Sequence, residues 1–151
     1  MNMTLAADVN LAITTAMKSK DAARLSTLRM LKTALMNREI ERGRALDENE
    51  SLQVVSALVK QRRDSIEQFV KGGRHDLADK ERAEIVVLES YLPPAVDEAE
   101  LERTVDAAIQ STGAASSRDM GRVMKAVMAE LAGKTVDGKA VNDLVRRKLQ
   151  P

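Results

Sequence analysis

Apolar residues recur at three- and four-residue intervals along almost the whole chain, and strict apolar–polar alternation is missing. This restricts the fold to packed α-helices, because a helix gathers residues i, i+3, i+4 and i+7 on one face whereas a strand needs period two. The first stripe is Leu5, Val9, Ile13 and Ala16 or Met17. A second follows Asp21 as its cap, carries Leu25, Leu28, Leu31 and Leu35, and ends near Gly43. Asp47, with Glu50 three residues on, opens a third with Leu52, Val55, Val59, Ile66 and Phe69, stopped by Gly72-Gly73. Asp76 is expected to cap a fourth, with Leu77, Ile85, Leu88 and Leu92 turned inward.

Pro93-Pro94 breaks the pattern, since proline lacks the amide donor and the residue before it avoids the helical region. Beyond it, Asp97 with Glu100 opens a helix bearing Leu101, Val105 and Ala108. Ser116 with Asp119 precedes Met120, Val123, Met124, Val127 and Leu131, and Gly133 ends that stretch. Asp137 starts the last stripe, Val141, Leu144, Val145 and Leu149. The expected fold class is therefore all-α. Residues 1–93 would form an amino-terminal helical hairpin or bundle of about four helices, and residues 94–151 a small three-helix carboxy-terminal domain.

Composition agrees with such a core. With one Phe, one Tyr, no Trp and eight Met, the interior must be aliphatic, and these side chains mostly lose little rotamer freedom in a helix. The absence of cysteine excludes disulfides, thiolate catalysis and Cys-ligated metals. A formal net charge of +1 provides no global field toward nucleic acid or anionic lipid, so any such contact must be local. No apolar run reaches membrane-span length and the amino terminus lacks a secretory layout, so the expected compartment is the cytoplasm.

Residues suited to chemistry are sparse. His75, the sole histidine, sits in a helix-to-helix turn and has no second base or ligand partner in the sequence pattern. Gly133-Lys134-Thr135 resembles the tail of a phosphate loop, but Met128 stands where the first glycine belongs and a helix precedes it. Glu98, Glu100 and Glu102 fit a dipole-matched first turn better than a magnesium site. The expectation is no catalytic residue, no metal and no cofactor.

Two charged constellations stand out. Arg62 and Arg63 interrupt the third stripe where an apolar residue is due, and Glu81 with Glu84 does the same in the fourth. Opposite charges in facing seams imply a structural ion pair between the helices. The small domain is lopsided: Asp97, Glu98, Glu100, Glu102 and Asp106 cluster early, whereas Arg118, Arg122, Lys125, Lys134, Lys139 and Arg146 lie in its later part. Arg118, Arg122 and Lys125 follow i, i+4, i+7, a stripe opposite the apolar face. Such a surface is either an ordinary solvated face or a holder of phosphates. Without a stacking aromatic it suits the shape of a structured RNA rather than single-stranded bases.

A wider pattern covers nearly the whole chain. The runs Arg24 to Lys32 (RLSTLRMLK) and Lys60 to Phe69 (KQRRDSIEQF), then Gly73 to Leu77 (GRHDL), Lys80-Glu81, Glu84 and Tyr91-Leu92-Pro93, resemble the YqeY family. Asp119 to Met124 (DMGRVM), Gly133, Asp137 to Lys139 and Val141-Asn142 resemble its small helical domain. That family is similar to the carboxy-terminal tail of GatB, a subunit of the glutamine-dependent amidotransferase acting on misacylated transfer RNA. The resemblance implies linker-like helices followed by a compact domain of the kind that contacts transfer RNA. It implies no counterpart of the amidotransferase's ATP- and magnesium-binding part.

The function expected on these grounds is a non-catalytic module that binds transfer RNA or a tRNA-processing protein. The alternatives are an accessory subunit of a glutamine-dependent amidotransferase, and a protein–protein module unrelated to RNA. No membrane partner is expected, and oligomeric state is left open.

Overall fold

The computed structural model describes residues 4–150. It is all-α, with seven helices: α1 (Leu5–Lys18), α2 (Ala22–Arg42), α3 (Glu48–Lys71), α4 (His75–Glu89), α5 (Glu98–Thr112), α6 (Met120–Glu130) and α7 (Gly138–Leu149). A 3-10 turn at Ser117–Asp119 leads into α6. The described residues contain no strand, and one isolated parallel bridge joins Ala95 to Thr135. Two compact units divide the chain, Met1–Leu92 and Pro93–Pro151.

Side-chain caps set most helix starts. Thr4, Asp21, Asp47, Asp97 and Asp137 each accept a hydrogen bond from a backbone N–H of the following turn, satisfying donors that have no intrahelical partner. At α3 the box is reciprocal: Glu50 N–H donates to Asp47 at 2.8 Å and Asp47 N–H donates to Glu50 at 3.2 Å. The expected cap at Asp76 is not made. Helix α4 begins one residue earlier, at His75, and Arg74 occupies the cap position without a side-chain bond. Gly73, at φ 74°, closes α3 in the left-handed region, with Arg74 N–H donating to Phe69 C=O and Gly73 N–H to Val70 C=O. Only Arg74 remains to join the helices, so Asp76 falls inside the first turn and pairs with Arg74.

The first unit packs α1–α4 around Val9, Leu31, Leu35, Val54, Val55, Val59, Ile85 and Leu88. Most of the expected stripe residues line this core. In α4, however, Ala78 is fully buried while Leu77 is only half-buried, because Ala78 lies two turns before Ile85 on the same face and Leu77 is about 100° round the helix from it. Tyr91 is half-buried against the same core, and burial pushes its hydroxyl pKa above the ordinary tyrosine value.

The second unit is a three-helix body around Leu101, Val105, Val123, Val127, Val141 and Val145. Residues 93–96 are stitched to the α6–α7 turn. Thr135 N–H donates to Pro94 C=O at 3.1 Å, Val96 N–H to Thr135 C=O at 3.0 Å, and Thr135 Oγ1 to Pro93 C=O at 2.7 Å. α4 itself stops at Glu89, four residues before Pro93, and the two prolines, which have no amide hydrogen to donate, serve here as carbonyl acceptors.

Candidate nucleic-acid interface

The charge asymmetry of the second unit is partly cancelled within the fold. Lys148 Nζ lies 3.0 Å from Glu102 and 2.8 Å from Asp106, which hold its pKa above the ordinary lysine value, Asp106 most strongly. Lys134 pairs with Glu100. Three carboxylates of α5 are therefore matched by cations from α7 and from the α6–α7 turn, both packed against it through the shared core.

Arg122 is also engaged. Its guanidinium donates to Asp119 Oδ1 at 2.6 Å and to Thr112 C=O at 3.2 Å, tying the end of α5 to the start of α6. Asp119 is held below the usual carboxylate range, first by the Ala115 N–H and then by Arg122. Arg146 bonds its neighbour Asn142 at 3.2 Å.

Of the six cations singled out from the sequence, Arg118, Lys125 and Lys139 make no ion pair among the described residues, and Arg146 makes only the amide bond. All four are exposed. Arg147, also exposed and unpaired among the described residues, joins them although the sequence pattern had not marked it. Lys134 and Arg122 instead serve the domain's own cohesion. The free cations lie on two outward stripes, Arg118 and Lys125 leading into and along α6, and Lys139 with Arg146 seven residues apart on α7.

In the first unit, Arg62 lies between α3 and α4 with its side chain 13 % exposed. Its Nε stands 2.9 Å from Glu84 and 3.8 Å from Glu81, and a second guanidinium nitrogen donates to Leu58 C=O at 3.0 Å. Arg63 does not enter this cluster. It lies on the solvent side and reaches Glu89 at 3.4 Å. Arg62, Glu81 and Glu84 thus form a partly buried seam between α3 and α4.

Among the described residues, no group of three or more His, Asp or Glu is placed to hold a metal ion, and no helix is long and apolar enough to cross a membrane. His75 is exposed at the first position of α4.

Comparison with known proteins adds relatives whose name is "Altered inheritance of mitochondria protein 41, mitochondrial". That of Lachancea thermotolerans is 41% identical over 93 residues, 60% of this chain and 50% of the relative. The Pyrenophora tritici-repentis protein is 29% identical over 133 residues, 87% of this chain and 73% of its own length. The Kluyveromyces lactis protein is 43% identical over 77 residues, 50% and 42% respectively. The chain thus spans about half the length of the first and less of the third.

These names overturn the expectation of a cytoplasmic protein, since the relatives are mitochondrial. Composition could not have separated the compartments, because a chain without cysteine carries no redox signature of either. The family model described as "Yqey-like protein" matches residues 6–149. That span takes in both units and every helix but the first residue of α1, and the chain belongs to the YqeY family.

Proposed function

We propose that this chain is a non-catalytic adaptor that binds transfer RNA, or a structured RNA of similar shape, through its second unit. The observation carrying this reading is the set of exposed cations Arg118, Lys125, Lys139, Arg146 and Arg147, which have no carboxylate partner among the described residues, while Lys134 and Lys148 pair with three carboxylates of α5. Family membership supports it through the likeness to the amidotransferase tail, although kinship of fold alone does not transfer an activity. Rigid helices holding unpaired cations suit contact with a phosphate backbone, whose affinity comes from counterion release rather than base reading.

A mobility-shift series with transfer RNA over a salt gradient tests the reading. Affinity should fall steeply as salt rises, with a log–log slope of magnitude no more than about 4.5 for a surface offering about five cations. Reversal of Lys125 or Arg146 to Glu should weaken binding to every tRNA tested. Lys134→Ala should weaken it less, since that amine is already committed to Glu100. No binding at low salt would overturn the RNA reading.

A further inference from the structure

Among the described residues, the first unit carries an unpartnered surface of a different kind. Helices α1 and α2 form an antiparallel pair, and a cleft between them is lined by Ala6 and Asn10 from α1 and by Lys32, Leu35, Met36 and Glu39 from α2. At about 150 Å³ it is too small to enclose a substrate, since small-molecule sites usually run from about 300 Å³ upward. The helix faces that line it continue beyond it, which would extend the cleft into a shallow groove. Ala6, Asn10, Ile13 and Met17 recur at four- and three-residue steps on α1, and Leu25, Arg29, Lys32 and Met36 do so on α2, so each set shares one face. Large apolar side chains on these stripes are left uncovered: Met17 is 54 % exposed, Met36 50 %, and Ile40, one turn beyond Met36, 76 %. A 14-residue α1 gives the groove a length of about 21 Å, enough to seat roughly four turns of another helix.

The charge beside this groove is one-sided near the α1–α2 turn. From Lys18 to Lys32 the chain carries Lys18, Lys20, Arg24, Arg29 and Lys32 against a single acid, Asp21. The Asp21 carboxylate is occupied in capping α2, and none of the five cations makes an ion pair among the described residues. Glu39 lines the same cleft as Lys32, and toward the end of α2 Arg38 and Arg42 balance Glu39 and Glu41. The groove therefore has Val9, Leu35 and Met36 in its lining, is positive toward the α1–α2 turn and is balanced toward the end of α2.

We propose that this groove docks an amphipathic helix of a partner protein, one whose apolar face meets Met36 and Ile40 and whose polar edge carries carboxylates toward Arg29 and Lys32. A helix laid in a groove is a recurrent mode of recognition, and unbranched, polarizable methionines suit a surface that adapts to its occupant. A second copy of this chain fits poorly, because a twofold contact would set these cations against the end of α2, where Arg38 and Arg42 balance Glu39 and Glu41 and leave no excess of carboxylates. RNA fits poorly too, since exposed methionine and isoleucine offer a phosphate backbone no partner. The site belongs to the first unit and the proposed RNA-binding stripes to the second.

The probe is a pair of labelled synthetic 18-residue helical peptides sharing one leucine stripe, with Glu along the polar edge in one and Lys in the other. Binding to the full chain is read by fluorescence anisotropy. The Glu peptide should bind at least tenfold more tightly than the Lys peptide, and Met36→Glu should weaken it at least tenfold. The double change Arg29→Glu, Lys32→Glu should invert the preference. Met36 is half exposed, so its variant should keep wild-type helicity by circular dichroism, and Lys125→Glu should leave peptide binding unchanged. Equal binding of the two peptides, binding of neither, or displacement of the Glu peptide by transfer RNA or by phosphatidylglycerol vesicles would overturn the proposal. So would concentration-dependent dimerisation in sedimentation that Met36→Glu abolishes, because the occupant would then be a second copy.

Discussion

Lys20 stands at φ 58°, in the left-handed region where a side chain crowds its own backbone. It closes α1 as a glycine usually does, with Asp21 N–H bonded to Ala16 C=O and Lys20 N–H to Met17 C=O. Lys20→Gly should therefore stabilise the chain by up to about 1 kcal/mol in urea unfolding, the relief of strain outweighing the added freedom of the unfolded chain. Arg62 is the opposite case, a cation whose removal leaves carboxylates stranded. Arg62→Ala should cost about 3 kcal/mol, the low end for a broken buried pair because its acids keep some contact with water. A double-mutant cycle should find stronger coupling to Glu84, at 2.9 Å, than to Glu81, at 3.8 Å. The sequence made Arg62 conspicuous because it interrupts an apolar stripe. It could not separate Arg62 from Arg63, since adjacent helix positions differ by about a quarter turn and the packing of α4 decides which one faces inward.

Helix starts were legible wherever the signal is local. Asp21, Asp47, Asp97 and Asp137 cap the helices their spacing predicts, because a cap needs only its own first turn. The start of α4 was not, because the glycine closing α3 uses up the residues a separate cap would need. The matching of Lys148 to Glu102 and Asp106 was illegible for another reason. It joins residues more than forty positions apart, and only the packing of α7 against α5 creates it. The start of α3 makes a pH-dependent contribution. Arg44, and then the Asp47 N–H, hold Glu50 down to about 2, below the ordinary glutamate value near 4.3. A carboxylate with a depressed folded-state pKa contributes stability above its unfolded value, and that stability is lost as pH falls toward 2. Glu50→Gln should accordingly lower the melting temperature at pH 7 and flatten its decline between pH 5 and pH 2. A wild-type slope in the variant would remove Glu50 as the cause.

Over the whole molecule, the stitch between residues 93–96 and Thr135 makes the proline segment part of the second unit's own fabric. A fragment beginning at Pro93 should keep a cooperative melt. One beginning at Asp97, which keeps the cap of α5, should lose about 1–3 kcal/mol, as three hydrogen bonds go and the groups at Thr135 turn to water. For a body this small that should lower the melting temperature by at least about 4 °C. The scarcity of aromatic residues has an optical consequence. Phe69 and Tyr91 are the chain's only aromatics and both belong to the first unit, so the second is silent to near-ultraviolet light. Tyrosine emission during a thermal scan will follow the first unit alone, while far-ultraviolet ellipticity follows both. The difference between the two curves is the melt of the second unit, obtained from the intact protein without a label.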